Sequence, residues 1–366
     1  MTIDARRRHL VLGSAAAVSQ ALIPGLAWAQ FARLDTLPTV DSLTVRVLTD
    51  SSYDTPKVDS NKWVKIKRPP PLTSRKALHN QWGLALALES RIGTETRHVL
   101  LDSGLTSAAL LNNMDYLGVD PAKFQAMILS HGHNDHYGGL LGFLEKNRAQ
   151  LPKDLTIYIG GEDLFCARSR SLSPGGHLTD AGVLDRRELA KHNVRVVTCE
   201  KPTVVGHAFT TGWIPRKTFE YAVGPLPMVQ YFPVDGVGCD IPDANAKAKG
   251  KAVEDQHIHE HATCFNVKDR GLVVISSCGH AGIINSTRCA MDVSGVKKVH
   301  AAMGGFHLFP ATDEYLRKTM NEFKVLDPDV LVPMHCSGPS LITLLKSEMA
   351  DRVVTSANGT EFVFGA

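Results

Sequence analysis

Short apolar runs separated by amphipathic segments dominate the chain after residue 40. Alternating or continuous apolar runs predict strands, and apolar positions three and four residues apart predict helices. The predicted strands are 43–49, 82–88, 98–101, 126–129, 155–159, 194–197, 261–267, 272–276, 298–303 and 330–333, and the predicted helices are 107–117, 139–149, 281–291, 313–326 and 341–349. Early strands that pair through short turns, followed by strands that alternate with helices, predict an α/β fold with two mixed sheets and outer helices, a four-layer α/β/β/α sandwich.

Two segments interrupt this pattern. Residues 51–80 contain a run of three prolines and many lysines and arginines, which predicts a long basic loop. Residues 211–258 are rich in Gly, Pro and Lys and predict an insertion or a flexible covering loop. We therefore expect residues 30–366 to form one domain with loop insertions at about 51–80 and 211–258.

The first 29 residues resemble an export signal of the twin-arginine type. Three arginines (Arg6, Arg7 and Arg8) precede an apolar run, and Ala27-Trp28-Ala29 forms a small-residue cleavage signature before Gln30. The apolar run is too short for a bilayer span. We expect recognition by the twin-arginine export machinery, a periplasmic location, and no stable membrane span after cleavage.

Composition narrows the class of protein. With 366 residues, 43% hydrophobic and 21% charged, the chain is typical of a folded globular protein. The net charge of +3 is too small to predict a nucleic-acid-binding surface. Seven scattered cysteines without a C-x-x-C pair do not predict a disulfide framework and leave at least one free thiol. The 16 histidines are the unusual feature, because neutral imidazole is the commonest metal ligand.

Four metal-ligating side chains follow the predicted strand 126–129 within six residues. His131 and His133 share a face at strand-like spacing, whereas Asp135 and His136 lie on the following turn and can face a second ion. Imidazole and carboxylate ligands suit Zn, Fe or Mn, and the absence of clustered thiolates argues against a closed structural zinc site.

The H-x-H-x-D-H motif after a buried strand, with Asp102 in an upstream L-D-S-G turn, resembles the metallo-β-lactamase superfamily. Within it, the chain is similar to the branch named for 7,8-dihydropterin-6-methyl-(ribofuranosyl)aminobenzene-phosphate synthase. The motifs that carry this second likeness are TTGWIPR (210–216), SCGHAG (277–282), GGFHL (304–308) and HCSG (335–338).

The resemblance implies a dinuclear centre of two divalent ions, with zinc expected first and iron or manganese as alternatives. The implied ligands are His131 and His133 for the first ion, Asp135 and His136 for the second, His280 as a later ligand, and His335 to close the second site. The positions of the last two are compatible with this role, because both histidines follow predicted strands, and open α/β sheets collect ligands at the carboxyl ends of strands. From the residues alone, a buried, hydrogen-bonded histidine is the alternative for each.

One departure from the superfamily leaves the bridging ligand open. Many members carry a Gly-Asp pair whose carboxylate bridges the two ions, whereas this chain has Cys278 nearby, so that a thiolate or only water takes that place. His261 competes as a third ligand for the first ion. Because His257, His259 and His261 alternate beside the insertion, we favour an exposed histidine-rich strand for them.

Other candidate residues surround this motif. Asp102 is expected behind a metal-bound imidazole, where a carboxylate fixes the tautomer. His307 is expected either to contact substrate or move a proton, or to pack against the neighbouring glycines. Arg216 is a candidate anion ligand, and Trp213 either stacks on substrate or packs in the core.

These features predict an exported metal-dependent hydrolase that attacks a small, anionic or phosphorylated substrate with a metal-activated hydroxide, oriented or deprotonated by Asp135. The basic segment 57–76 is expected to favour an anion. Three alternatives stay open: a pterin-type transferase as in the named branch, a non-haem iron oxidoreductase on the same fold, and a non-catalytic periplasmic metal-binding protein.

Overall fold

The computed structural model describes residues 33–52, 60–69, 71, 76–171 and 177–365. The expected export signal, residues 1–29, lies outside the described residues. Residues Phe31–Ala366 group into one compact unit.

Nineteen strands occur in the described residues. They are β1 Thr39–Val40, β2 Ser42–Thr49, β3 Lys65–Lys67, β4 Ala85–Ile92, β5 Glu95–Leu101, β6 Ala126–Leu129, β7 Thr156–Ile159, β8 Ala167–Ser171, β9 Leu178–Gly182, β10 Arg195–Thr198, β11 Thr203–Val205, β12 Ala208–Thr210, β13 Met228–Gln230, β14 Val253–Glu254, β15 Thr263–Val267, β16 Gly271–Ser276, β17 Val299–Gly305, β18 Val330–Met334 and β19 Glu361–Gly365.

The described α-helices number eight. They are α1 Ser107–Leu117, α2 Asn134–Tyr137, α3 Leu140–Asn147, α4 Arg186–Lys191, α5 Pro242–Ala248, α6 Ile283–Ser294, α7 Asp313–Leu326 and α8 Pro339–Glu348. Local signals fix the ends of α1: the Thr106 side chain accepts from the Ala109 amide, and Gly118 ends the helix in the left-handed conformation. None of the described helices combines the length and apolar character that a bilayer span requires.

The strands form the two mixed sheets that the pattern predicts. One sheet has the order β10-β7-β6-β5-β4-β2-β19-β3, and the other has β11-β12-β15-β16-β17-β18 with β1 beside β15. Their facing sides share one apolar core that includes Val45 and Leu86 from the first sheet and Phe265 and Val332 from the second. Helices α1 and α3 cover the first sheet, and α6, α7 and α8 cover the second. The four-layer α/β/β/α sandwich is confirmed.

Parallel pairing of strands brings the candidate site residues to one edge of each sheet. In the first sheet β5, β6 and β7 run parallel, and in the second β16, β17 and β18 run parallel. The carboxyl ends of parallel strands meet at one edge of a sheet. The segments that follow β6, β16 and β18 carry the candidate metal ligands, and the segment that follows β17 carries His307.

Of the two alternatives for residues 211–258, an insertion and a flexible covering loop, the structure contradicts the loop. This segment contains β13, α5 and β14, and β13 and β14 belong to a small third sheet of order β14-β13-β8-β9. A disulfide between Cys166 and Cys239 ties the segment to the start of β8. The sequence did not predict this bond, because the two cysteines are 73 residues apart and only the pairing of β13 with β8 brings them together. The other five cysteines are free and buried.

Within segment 51–80, the described residues include a strand that the pattern missed. Edge strand β3 pairs antiparallel with β19, and the Lys67 ammonium forms an ion pair with Glu361. Trp63 lies under the guanidinium of Arg270, in the turn that precedes β16. The metal-ligand candidates follow the other end of β16, so this part of the basic segment lies along the sheet edge and away from them.

Candidate metal centre

The H-x-H-x-D-H loop begins where β6 ends. His133 is the residue before α2, which places Asp135 and His136 inside that short helix. A Cβ atom at Gly132 would collide with the buried Arg168 guanidinium, so the glycine allows this side chain to pack directly beneath the loop. The rings of His131 and His136, from the two halves of the motif, lie 4.3 Å apart.

The structure gathers all six predicted ligands into two groups of three. Candidate ligand atoms of His131, His133 and His280 lie within 4.8 Å of one another, and so do those of Asp135, His136 and His335. We call them the triple-histidine group and the carboxylate group. In the second, Asp135 Oδ2 lies 3.3 Å from His335 Nε2 and 3.8 Å from His136 Nε2. Ligands of one zinc ion, each about 2.0–2.2 Å from it, fit within such distances.

Ring nitrogens without hydrogen-bond partners show that these groups fit metal ions. Buried polar atoms are nearly always hydrogen-bonded, so several unsatisfied atoms that converge on one place indicate a missing partner. The unpartnered buried atoms here are Nε2 of His131, His133, His136 and His335, both ring nitrogens of His280, and Oδ1 of Asp135.

Protonation also suits metal binding. Burial lowers the pKa of His131, His133 and His280, which keeps these imidazoles neutral and their lone pairs available. Burial by itself raises the pKa of Asp135, but the neighbouring His136 and His335 outweigh it and hold that pKa below its usual range. Asp135 is therefore ionised at neutral pH, as a ligand must be.

The second nitrogen of several ligands is held by another side chain. Asp102 accepts from His136 Nδ1 at 2.8 Å, and it also accepts from the amide and hydroxyl of Ser130. Ser51 Oγ lies 3.1 Å from Nδ1 of His335. Such contacts fix the ring orientation and leave Nε2 for the ion. Asp102 lies where the sequence places it, behind a candidate metal-bound imidazole.

A buried pair beside the triple-histidine group was missed by sequence reasoning. Asp255 Oδ2 lies 3.5 Å from His133 Nε2 and 3.4 Å from His257 Nδ1, and it accepts from Arg168 Nε. The His257 ring stacks on that of His280 at 3.7 Å. His133, Asp255 and His257 form a further potential ligand group. Asp255 thus faces the same Nε2 atom of His133 that the triple-histidine group offers to an ion, and the positive charge of Arg168 compensates this carboxylate.

The exposed histidine-rich strand expected at 257–261 was therefore wrong. His257 and His261 are buried, and the segment is a turn that packs into the site. His261 Nε2 bonds to the Leu129 carbonyl at 2.8 Å, and His261 belongs to none of the described ligand groups. The sequence signal for this pair was a carboxylate and an imidazole two residues apart, Asp255 and His257, at the end of the insertion. The fold buries both side chains.

Two other candidates support the site from outside. The Trp213 ring stacks on His259 at 4.4 Å, and its indole nitrogen donates to the Gly160 carbonyl, so it packs within the fold. Arg216 Nη2 donates to the backbone carbonyls of Gln256 and His280 at 2.6 and 3.2 Å. This guanidinium thus joins the end of the insertion to a predicted ligand, and the geometry favours positioning over the anion binding expected from sequence.

Cys278 lies between the two groups. Its Sγ forms a potential ligand group with His131 and His136, one residue from each metal group, and a second one with His307 and Cys336. The sulfur atoms of Cys278 and Cys336 are 3.2 Å apart, and His307 Nδ1 is 3.7 Å from Cys278 Sγ. The His307 ring is also 4.1 Å from that of His280. The structure therefore places His307 beside the metal centre.

Four residues at this edge of the sheets have a strained backbone conformation. Asp102, His257, His307 and His335 all have positive φ, between 47° and 56°. Few residues other than glycine adopt this conformation, and it clusters at functional sites where the surrounding packing holds it. Each of these residues follows a strand or a tight turn, and each contacts the ligand groups.

Two aromatic side chains stand beside the carboxylate group. The Trp82 ring lies 4.9 Å from that of His335 and 6.2 Å from that of Phe309. Trp82 is 44% exposed and Phe309 61% exposed, which is unusual for such large apolar residues. They provide an apolar wall next to the predicted ligands. Neither was singled out from the sequence, because nothing local marks their convergence.

Comparisons with known proteins agree with this site. Residues 90–194, which include the H-x-H-x-D-H loop, match the metallo-beta-lactamase superfamily. The chain is 26% identical over 266 residues to the 7,8-dihydropterin-6-methyl-4-(beta-D-ribofuranosyl)-aminobenzene-5'-phosphate synthase of Methanocaldococcus jannaschii, which covers 71% of this chain and 82% of that protein. An uncharacterized protein of the same organism is 25% identical over 75% of this chain and 90% of its own length.

The fold is also that of a solved structure. A metal-dependent hydrolase of the beta-lactamase superfamily superposes with a TM-score of 0.61 at 21% identity, over 87% of this chain and 98% of that one. Three findings agree with one another. These are the superfamily match, the shared fold, and the position of the loop that carries the motif at the edge of both sheets. Over residues 90–194 the chain matches the metallo-β-lactamase superfamily, and its fold is that of a solved member of this superfamily.

Proposed function

We propose that this protein is an exported, metal-dependent hydrolase that holds two divalent ions, most readily zinc, in the triple-histidine and carboxylate groups. The observation that carries the proposal is the convergence of unpartnered, buried ring nitrogens from five histidines, with one oxygen of Asp135, on a single edge of the sandwich. A pair of divalent ions supplies, when bound, an activated water and a Lewis acid for hydrolysis.

The chain's own residues orient this chemistry. Asp135 belongs to the carboxylate group and is ionised, so that its free oxygen can hold a water molecule in place or accept its proton. Asp102 holds the His136 ring, and Arg216 holds the backbone at His280. His307 stands beside His280 and is a candidate to deliver a proton to a leaving group.

The substrate class follows from charge and shape. Two divalent ions surrounded by neutral imidazoles and the single carboxylate of Asp135 leave a positive site, which favours an anionic or phosphorylated substrate. Trp82 and Phe309 supply exposed rings that suit a flat, apolar part of the same molecule. A small substrate with an acidic group and a planar ring fits both features.

The test joins elemental analysis with a substrate screen. Protein purified from its own compartment is assayed for bound metals and for hydrolysis of lactones, thioesters, phosphodiesters and β-lactams, with Asp135→Asn in parallel. We expect about two ions per chain, hydrolysis of at least one class, and loss of that activity in Asp135→Asn. Equal activity of the two proteins contradicts the proposal. Bound metal without any turnover supports a metal-binding protein, and bound iron with redox turnover supports an oxidoreductase.

A pterin-type transferase is the second candidate. The likeness to the Methanocaldococcus synthase covers most of both chains, and the exposed Trp82 and Phe309 rings suit a pterin or aminobenzene ring. Incubation with an activated methyl-dihydropterin and ribofuranosylaminobenzene phosphate distinguishes the two candidates. A condensation product favours the transferase, and its absence beside measurable hydrolysis favours the hydrolase.

Export is proposed from the first 29 residues. The Cys166–Cys239 disulfide supports an oxidising compartment, where such bonds persist. Replacement of Arg7 and Arg8, the pair beside His9, by lysine is expected to retain the protein in the cytoplasm of a host with twin-arginine machinery. Unchanged periplasmic recovery of that variant contradicts this route.

A further inference from the structure

We propose that Glu260 is a positioning residue for His280, whose ring it directs towards the triple-histidine group through the backbone. This inference rests on the metal centre of the proposed function and assigns a role to a carboxylate that belongs to none of the described ligand groups. Glu260 is buried and lies between β14 and β15. One of its oxygens accepts from the backbone amide of His280 at 3.1 Å, and the other accepts from the amide of Ala281.

The ring of His280 needs this support because no side chain bonds to it. In the carboxylate group, His136 and His335 each have their second ring nitrogen bonded to another side chain, which fixes the ring. Neither ring nitrogen of His280 has a hydrogen-bond partner among the described residues. The ring only packs against those of His257 and His307, at centroid distances of 3.7 and 4.1 Å. The backbone of His280 must therefore set where its nitrogens point.

This backbone has no helix or strand to hold it. His280 and Ala281 lie in a turn between β16 and α6, and the glycines on either side, Gly279 and Gly282, have φ angles of 73° and 98°. Glycine adopts a positive φ without steric cost, but its freedom also makes the turn easy to deform. Other contacts must keep the turn in one conformation.

Side chains supply those contacts. Glu260 accepts from the amides of His280 and Ala281, as described above. The His280 carbonyl accepts from Arg216 at 3.2 Å, and the Ala281 carbonyl accepts from the Asn285 side chain at 2.9 Å. All four polar backbone groups of the two residues are thus bonded to side chains. Glu260 makes two of these four bonds, so its loss should disturb the turn most.

A second buried carboxylate offers a matched comparison. Glu220 accepts from the amides of Ile284 and Asn285, at 3.0 and 2.7 Å, in the first turn of α6. Both carboxylates therefore bond to two consecutive amides near the start of the same helix, where such groups have no partner within the helix. They differ in one respect, because only Glu260 bonds to the backbone of a candidate metal ligand. Loss of either should weaken the fold, and loss of Glu260 alone should move a ligand.

The first test is the substitution Glu260→Gln. The glutamine side chain keeps the size, but its terminal nitrogen cannot accept, so one of the two amides loses its partner. We expect the affinity of the triple-histidine group for Co(II) to fall about 10–100-fold, the range for loss of a group that supports a ligand, and the visible cobalt bands to shift. The affinity of the carboxylate group should not change. Titration against a competing chelator measures both affinities.

Glu220→Gln is the matched control. This variant is expected to unfold at a lower denaturant concentration, as Glu260→Gln is, and to keep both cobalt affinities and the visible bands of the wild type. An equal loss of cobalt affinity in the two variants, or no loss in Glu260→Gln, overturns the positioning role.

A double-variant cycle tests whether Glu260 acts through His280. In a His280→Ala background, Glu260→Gln is expected to cause no further loss of cobalt affinity, because the imidazole that it positions is absent. A general effect on the fold would lower the affinity by the same factor in both backgrounds, and that result overturns the proposal.

Amide hydrogen exchange in metal-free protein tests the contact itself. In the wild type, the amides of His280 and Ala281 are expected to be protected, and in Glu260→Gln to exchange about 2–10-fold faster, as loss of a hydrogen bond implies. Rapid exchange of both amides in the wild type overturns the proposal without any variant. Absence of cobalt binding in the wild type overturns the metal centre and the role of Glu260 with it, whereas the other contrary outcomes leave the metal centre standing.

Discussion

The two ligand groups differ in how the chain builds them. The triple-histidine group is neutral, and its nearest carboxylate, Asp255, is paired with Arg168. The carboxylate group contains the ionised Asp135, and a second carboxylate, Asp102, holds His136. An ion is therefore attracted more strongly to the carboxylate group than to its neutral neighbour. The comparison indicates that the negative charge available to a metal ion lies mainly in the carboxylate group. This is also the group beside the exposed Trp82 and Phe309.

Removal of metal tests both groups together and should have the largest effect. Dialysis against a chelator is expected to abolish hydrolysis, with a loss greater than the ~10²–10³-fold that one oxyanion-stabilising donor supplies. Zinc is expected to restore activity in proportion to the ions rebound. Activity that persists in protein shown to be free of metal contradicts the dinuclear centre.

Asp135→Asn tests the carboxylate group alone. The substitution keeps the shape and removes the negative charge, so we expect one bound ion in place of two and a fall in kcat of about 10²–10⁴-fold, the range for loss of a positioned acid or base. Metal content and steady-state rates measure both effects. The control is Asp329→Asn, whose carboxylate bonds to the buried His300 away from the described ligand groups.

The supporting carboxylates should separate the two groups. Asp102→Asn is expected to lower the affinity of the carboxylate group for its ion, and Asp255→Asn that of the triple-histidine group, each by about 10–100-fold. Titration against a competing chelator resolves the two affinities. If both variants lower the affinity for the same ion, the assignment of one carboxylate to each group is contradicted.

Asp255→Asn should also lower stability. The substitution leaves the buried Arg168 with Asp163 as its remaining carboxylate partner. Loss of one partner of a buried ion pair costs about 3–5 kcal/mol, so the free energy of unfolding is expected to fall more than in Asp102→Asn. Denaturant unfolding of both metal-free variants checks this difference.

Loss of the apolar wall formed by Trp82 and Phe309 should produce the smallest effect. Trp82→Ala and Phe309→Ala are expected to raise KM about tenfold for a substrate with a planar ring and to leave kcat nearly unchanged, because a stacked aromatic contact contributes about 0.5–1.5 kcal/mol. Val325→Ala, at an exposed apolar residue on α7, is the control. Equal changes for substrates with and without a ring contradict a stacking role.

Much of the fold could be predicted because each signal was local. Helices 107–117 and 313–326 and strand 126–129 occupy the predicted residues, since caps and apolar spacing define them without help from distant residues. The small strands of the third sheet were missed. They are two to five residues long and are held by pairing with one another, so the sequence of each carries little signal.

The sequence by itself determined that four candidate ligands of the centre are close together. His131, His133, Asp135 and His136 lie within six residues, so the geometry of one strand end and one turn brings them together. The resemblance named His280 and His335 as further candidates, but only the tertiary structure decided that they lie beside the first four, that Asp255 and His257 are buried rather than exposed, and that Cys278 lies near both groups. Residues more than 100 positions apart meet only through the parallel pairing of strands and the packing of two sheets, which no local pattern encodes.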